Sequence, residues 1–418
     1  WELEMWAEQT LGDPILVDAI TYKQQYPDVS YGRTSDASEH WIFYGEPTPN
    51  QSNSTPPTVN LVSAGNVTFS LASGFFDSRI DLSITTQEPS ALIHYTTDGS
   101  IPTSRSPVFT NPLSIVSTTV IRARAITLDK FPGQVETGTF FIGAPNHELP
   151  IASLAVEPDV FFDSEIGIYR NVHKGREAPI NLEFLEQGIS VFNVNAGAKI
   201  SGENIWRFAQ KPLNITLRGK YGNDVIEHQI FKNERVATFG EFVFRNGGDN
   251  WSNAMLRDAI TPFLLKGQSP NDVQNYRPCV LYLNGAYWGI HNIRGKLDDV
   301  YFATHHHINT GTYDYLEYAH VYNGNVGLVV KEGDSDAYLE LEAYAESNDL
   351  SNDQIFQYLA DQVNLISVCD YIATEDFVYN SSWRHNREFW RERKKGAKWH
   401  WILPDLDRGS DVEIGRAH

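Results

Sequence analysis

Between residues 58 and 142 apolar side chains recur at every second position in the short runs "VTFSLAS", "IDLSITT", "ALIHYTT", "TTVIRARAIT" and "TGTFFIG", with turn-forming residues between them. Side chains of an extended strand point alternately to its two faces, so this pattern suits strands and not helices. Ile93, Tyr95 and Thr97 thereby share one face. Short strands at this spacing predict a small β-sandwich. Nothing in it suggests acid–base chemistry, since Asp98 precedes Gly99 and a turn accounts for it.

Upstream, "GEPTPNQSNSTPPTVN" at residues 45–60 carries four prolines among Ser, Asn and Thr. Such a stretch holds neither a helix nor a central strand and reads as a linker. Before it, "ILVDAITY" and "HWIFYG" are two strand-like pieces in a segment too short to bury much core alone. From about residue 148 the period becomes mixed. "PINLEFL", "KPLNITLRG", "EFVFRN" and "VLYLNGAYWGIHNI" read as strands, the last with a hairpin turn at Asn284-Gly285. "NAMLRDAITPFLL" places Met255, Ala259, Ile260, Phe263 and Leu264 at helical spacing, and "DAYLELEAYAESN" and "DQIFQYLADQVNL" read as further helices, followed by "VCDYIATEDFV". The expected fold class is multidomain: a small all-β sandwich followed by an α+β domain of roughly 270 residues.

A formal net charge of -20 disfavours general binding to nucleic acid or anionic membrane, which needs clustered Lys and Arg. Excess acid keeps a secreted protein soluble, and cation binding is the other reading. Cys279 and Cys369 are the only cysteines; one bridge or two buried thiols both fit, and neither has metal-ligand spacing. No stretch reaches the roughly 18 apolar residues of a membrane helix. The start, "WELEMWAEQT", lacks an initiator methionine and a signal-peptide pattern, and "DVEIGRAH" stops abruptly, so a fragment cut at both ends is expected.

The chemistry concentrates in "NREFWRERKKGAKWHWILPDLD". Two strand-like runs flank a turn at Lys394 to Ala397. With the hairpin centred between Lys395 and Gly396, Arg391 faces His400 and Asn386 faces Asp405. Opposed residues lie roughly 4.5–5.5 Å apart, and Asp405 and Asp407 point the same way if the chain stays extended. Three hard oxygen donors at a strand end suit Mg2+, Mn2+ or Ca2+. The plainer reading has the aspartates capping a turn, with Arg408 neutralising one of them. Phosphate would need cations, and Arg207, Lys211, Arg218 and Lys220 cluster around the "KPLNITLRG" strand; a solvated strand face is the alternative. The "HHH" at 305–307 reads as a surface loop, because consecutive residues do not readily converge on one ion. "SGENIW" and "RNGGDN" are Gly-containing turns without a phosphate-loop pattern, and no nucleophile elbow is present.

"ALIHYTTDGSIPTSRSPVFTNPLSIVSTTVIRARA" resembles the chitobiase/β-hexosaminidase C-terminal, or fibronectin-III-associated, β-domain, covering 58–142. "DVSYGRTSDASEHWIFYGEPTPNQSN" is similar to the last strands of a lamin-tail domain, so residues 1–55 would be its C-terminal piece plus linker. "LPIASLAVEP", "GAKISGENIWRFAQKPLNITLRGKYG", "FVFRNGGDNWSNAMLRDAI", "YRPCVLYLNGAYWGIHNIRGKLD" and "KWHWILPDLDRG" resemble the CotH family of atypical kinases over 148–418. The resemblance implies an α+β atypical-kinase-like domain, truncated at its C-terminus, that uses ATP with Mg2+ or Mn2+ to phosphorylate protein outside the cytosol. It makes Asp405 and Asn386 the catalytic and metal-side residues, with Asp407 a further metal ligand. Lys211, Arg218 and Arg207 fall on the nucleotide side.

Two departures stand out. Active members carry an Asp ahead of the Asn, where "VYNSSWRHN" offers Ser381 and Ser382; Asp376 is the nearest carboxylate upstream. "NIRGKLD" has Gly295 where the family usually offers Glu. Two functional expectations follow. One is an extracytoplasmic protein that binds ATP and a divalent metal and phosphorylates Ser or Thr of a protein substrate. The other is a secreted surface or adhesion module with a pseudokinase domain and a carbohydrate or cell-surface partner. Neither involves nucleic acid.

Overall fold

The computed structural model describes residues 2–7, 15–21, 30–36, 38–44, 52–53, 62–127, 130–145, 147–202, 208–232, 237–253, 255–321 and 325–408. They form two compact units, Trp1–Pro145 and Asn146–His418.

Among the described residues, the regular structure of the first unit is strand. Gly74–Phe76, Glu136–Ile142, Thr119–Ile126 and Leu92–Thr96 pair in that order, while Ile80–Leu82 pairs with Leu113–Ile115 and Val67–Phe69 with Ile84–Thr86. Leu82, Ile84, Ile115, Ile121, Ala123 and Phe140 are buried together, with Ile93 and Tyr95 packed on them, as the alternation requires. Asp98 does sit in a turn, its Oδ1 accepting from the Ser100 N–H at 3.0 Å. Upstream, Glu2–Ala7 pairs with Ile15–Thr21 and Ser30–Arg33 with Trp41–Tyr44. The Pro-rich linker lies outside the described residues except for Ser52 and Asn53.

The second unit is β-rich with helices. Its strands relevant here are β1 (Ile151–Val156), β2 (Ala178–Glu186), β3 (Ile189–Ile200), β4 (Leu213–Thr216), β5 (Glu241–Arg245), β6 (Asp272–Val273), β7 (Tyr276–Leu283), β8 (Ala286–Gly295), β9 (Tyr313–His320), β10 (Val326–Glu332), β11 (Arg387–Glu392) and β12 (His400–Leu403). Pairing runs β2–β1–β7–β8–β5–β4–β3, and β3 pairs back to β2, so the sheet closes on itself. Leu154, Leu182, Phe184, Leu213, Ile215, Phe242, Phe244, Leu281 and Ile293 fill its interior. Asn284 and Gly285 form the β7–β8 turn at positive φ, 48° and 79°, as the Asn-Gly pair predicts.

Strands β6–β12–β11–β9–β10 make a second sheet. Alternation on β11 sends Trp390 to one face, with Phe302, Tyr313 and Ile402, and Phe389 to the other, with Leu316, Leu341 and Trp399. The helices are α1 (Pro158–Phe162), α2 (Arg257–Leu265), α3 (Asp299–His305), α4 (Asp336–Ser347), α5 (Asp353–Gln362) and α6 (Leu365–Phe377). None is long and apolar enough to cross a membrane.

Two expectations need correction. On α2, Ala259 is buried but Ile260, Phe263 and Leu264 are exposed, and the inward face carries Asp258 and Pro262 instead. The β11–β12 register is also one residue off, with Trp390 rather than Arg391 facing His400. The turn does centre on Lys395-Gly396, with the Ala397 N–H on the Lys394 carbonyl at 3.1 Å. A second tight bend, Lys394 N–H to Glu392 carbonyl at 2.9 Å, absorbs one residue on the β11 side. The cysteines form no bridge: Cys279 is a buried free thiol and Cys369 an exposed one.

Candidate functional site

Strand β5 alternates Phe242 and Phe244 into the closed sheet and leaves Arg245 on the outer face. There its Nη2 lies 2.7 Å from Asp405 Oδ1 and 3.1 Å from Asp407 Oδ2, while Nε lies 2.5 Å from Asp258 Oδ2. Asp258 opens α2 and is itself braced by Arg294, whose Nη1 donates to the Asp258 carbonyl at 2.9 Å. Burial, the largest single influence on Asp258, opposes its ionisation, but the Arg245 and Arg294 charges outweigh it and hold the carboxyl low. Burial, aided by the Asp258 charge, pushes Asp405 the other way, up, against the pull of Arg245.

Asp405 and Asp407 flank the buried Leu406 in the loop after β12, and that anchoring turns both carboxylates to the same cation. The loop is tied from behind, since Asn380 Nδ2 donates to the Asp405 carbonyl at 3.0 Å. Ser382 serves this brace, donating through its N–H and Oγ to Asn380 Oδ1 at 3.2 and 2.9 Å. Asn386 caps the short 3-10 turn Trp383–His385, beyond the end of the β11 ladder. Asn386, Asp405 and Asp407 nevertheless line one cleft of about 310 Å³, together with Arg245, Glu317, His320, His385 and Arg408.

The "RNGGDN" turn forms another part of the wall. Gly247 and Gly248 take φ of 95° and 59°, and a Cβ on Gly248 would stand 2.0 Å from Asp407 Oδ2. Only glycine permits that approach. Buried Asn246 fixes the turn, accepting from the Gly248 N–H at 3.1 Å and donating to the Gln210 carbonyl at 2.8 Å.

The expected nucleotide-side residues are distributed differently. Lys211 is buried, its Nζ 2.5 Å from the Phe208 carbonyl and 5.3 Å from the Tyr169 ring centroid. Burial, and then the Arg170 charge, lower its pKa. Its neighbours Phe208 and Pro212 line the cleft; Lys211 is not among the lining residues. Arg218 pairs with Glu177 at 2.9 Å and does not line the cleft either. Lys220 shares that carboxylate at 2.9 Å. Arg207 lies outside the described residues. Gly295 ends β8 against Phe231, away from the lining, and Asp376 is exposed on α6. The histidine run does not converge: His305 stacks on Tyr301 at 4.1 Å and His306 pairs with Asp272 at 2.8 Å. Sequence reasoning missed Arg245, Asp258, Glu317, His320 and His385. The one local signal was an Arg closing a strand directly before Asn-Gly-Gly.

Among the described residues no three His, Cys, Asp or Glu side chains are grouped to hold a metal ion. The donor set is instead two carboxylates and one amide, Asp405, Asp407 and Asn386, in one cleft. Both carboxylates lie close to a single cationic nitrogen. That chemistry fits a hard divalent cation, with Arg245 as the charge it would share the site with.

Residues 198–416 match the family model described as CotH kinase protein, and residues 71–137 match the chitobiase/beta-hexosaminidase C-terminal domain. No curated protein matches the chain.

Proposed function

Because the chain belongs to the CotH kinase protein family, whose model covers just over half of it, we propose that its second unit binds ATP with Mg2+ or Mn2+ and transfers phosphoryl to a protein Ser or Thr outside the cytosol. One observation carries this reading: Asp405 and Asp407 converge on a single positive charge in a cleft that Asn386 also lines. An Asn and an Asp are the side chains by which kinase sites hold their metal ions. When bound, the divalent ion would neutralise charge on the phosphate oxygens. Arg245 and Arg408 are the cleft cations able to face phosphate, and the glycine turn keeps that wall free of side chains at its closest point. The chitobiase-type domain, and the lamin-tail likeness of residues 28–53, support a carbohydrate-rich cell-surface setting for the protein substrate.

Thermal melting with and without Mn-ATP tests the binding step. Nucleotide at about 100 times its dissociation constant should add roughly 2.7 kcal/mol of stability, and Asp405→Ala should remove that gain. An unchanged melting curve, or a gain that survives Asp405→Ala, sinks the proposal.

A second reading is favoured by Ser382, which is spent on bracing Asn380 where a kinase would present a carboxylate base. On that reading the unit is a pseudokinase within a secreted surface or adhesion module, with a carbohydrate or cell-surface partner. Nucleotide binding without label transfer from γ-labelled ATP to Ser/Thr peptides would select it.

A further inference from the structure

A second cavity of the second unit, about 350 Å³ in volume, shares no lining residue with the cleft. It lies between α2, the start of β7 and the Phe231-Lys232 segment. Because Asp258 is drawn inward to Arg245 and Arg294, another side of α2 turns outward. Leu256, Ile260, Phe263 and Leu264 recur there at helical spacing and are between 44% and 63% exposed. The first three line the cavity, and Leu264 continues the apolar row outside it. We propose that this surface binds a polypeptide segment of a partner protein that carries apolar anchors among acidic residues. The proposal is independent of the phosphoryl-transfer reading, which uses only the cleft.

Two observations select that occupant. The first is charge. Lys232, Lys266 and Arg277 line the cavity and no carboxylate does among the described residues, although the chain carries 53 Asp and Glu against 33 Lys and Arg. Glu186 offsets Arg277 from outside the lining at 2.5 Å, whereas Lys266 Nζ lies 2.5 Å from the neutral Asn275 Oδ1, and Lys232 is exposed. An acidic partner complements such a rim. The second is shape. The cavity alone has the volume of a small-molecule site, but the apolar row from Leu256 to Leu264 runs roughly 12 Å along the helix. An elongated chain covers that row, whereas a compact ligand confined to the cavity leaves Leu264 in water. Apolar side chains gathered in one patch with a polar rim are the usual form of a peptide-docking surface.

Fluorescence anisotropy on the full chain tests this with a dye-labelled peptide pool built from Asp, Glu, Leu, Ile and Phe. Two further pools carry Asn and Gln, or Lys and Arg, in place of the acids. The acidic pool should bind, the other two should not, and added salt should weaken the binding. Phe263→Ser should weaken it about tenfold while leaving the melting temperature close to that of the unaltered protein. Lys232→Glu should slow association and flatten the salt dependence. An acidic pool that does not bind, or that binds Phe263→Ser as tightly as the unaltered protein, overturns the proposal. So does equal binding of the Asn and Gln pool. A dimer in sedimentation that Phe263→Ser dissociates would give the face to a second copy of this chain. Saturable binding of dodecanoate without binding of the acidic pool would give it to a small amphiphile. Either result overturns the assignment to a partner polypeptide.

Discussion

Glu375 shows how one residue can be legible in a sequence and still be passed over. On α6 the buried side chains are Ser367, Tyr371, Thr374 and Glu375, spaced as one helical face. The carboxyl therefore points inward while its neighbour Asp376 is exposed, although a search by nearness to Asn386 reaches Asp376 first. Burial pushes Glu375 to about 7; Asn380 and Tyr371 favour its ionised form and the Asp405 charge opposes it. The unfolded chain restores the ordinary 4.5, so between about 4.5 and 7 the folded state holds a proton that the unfolded state releases. This group therefore destabilises the fold as pH rises through that window, by at most about 3 kcal/mol. Glu388, which faces Glu317 across the β9–β11 ladder, is also pushed to about 7, again chiefly by burial, and acts in the same direction. Glu375→Gln should raise the melting temperature clearly more at pH 8 than at pH 5. An equal change at both pH values would mean that the carboxyl is ionised throughout.

At the scale of elements, local pattern located most strands and helices and failed where a neighbour decides. The Asn284-Gly285 turn was readable because its chemistry is carried by two adjacent residues. The β11–β12 register was not, because the bend at Glu392 to Lys394 adds one residue that no turn rule announces. Asn386 and Asp405 still share a cleft, since both lie beyond the paired ladder, where the register no longer governs them. On α2 the helical spacing was real but the buried face was misjudged. The pull of Arg245 and Arg294 on Asp258 turns a polar face inward and leaves Phe263 63% exposed. Phe263→Ser should thus change stability by less than about 0.5 kcal/mol. Leu281→Ala, inside the closed sheet at 0% exposure, should cost about 2–5 kcal/mol. Denaturant unfolding of the two variants compares them directly, and a costly Phe263→Ser would show that its face is covered in solution.

Across the second unit, the closure of the first sheet was beyond local reading, because it depends on the parallel β1–β7 pairing and the return of β3 to β2. The same holds for Arg245, the residue that joins the unit's parts. It leaves the closed sheet on β5, meets Asp258 at the start of α2 and reaches Asp405 and Asp407 after the second sheet. One guanidinium thus faces three carboxylates, and Arg294 adds its charge at Asp258. Removing it leaves charges that the fold has already desolvated, and breaking a buried pair costs about 3–5 kcal/mol. Arg245 keeps 24% of its side chain exposed, so Arg245→Met should lie near the lower end, about 3 kcal/mol, in a melt with chelator present. If Asp405, Asp407 and Asn386 also accept a divalent ion, Mn2+ should recover much of that loss, because it returns positive charge to the same two carboxylates. The unaltered protein, already compensated there by Arg245, should gain less from Mn2+ alone. A variant that melts normally in chelator would show that the three carboxylates do not need the guanidinium. Equal gains from Mn2+ in both proteins would place the ion somewhere other than between Asp405 and Asp407.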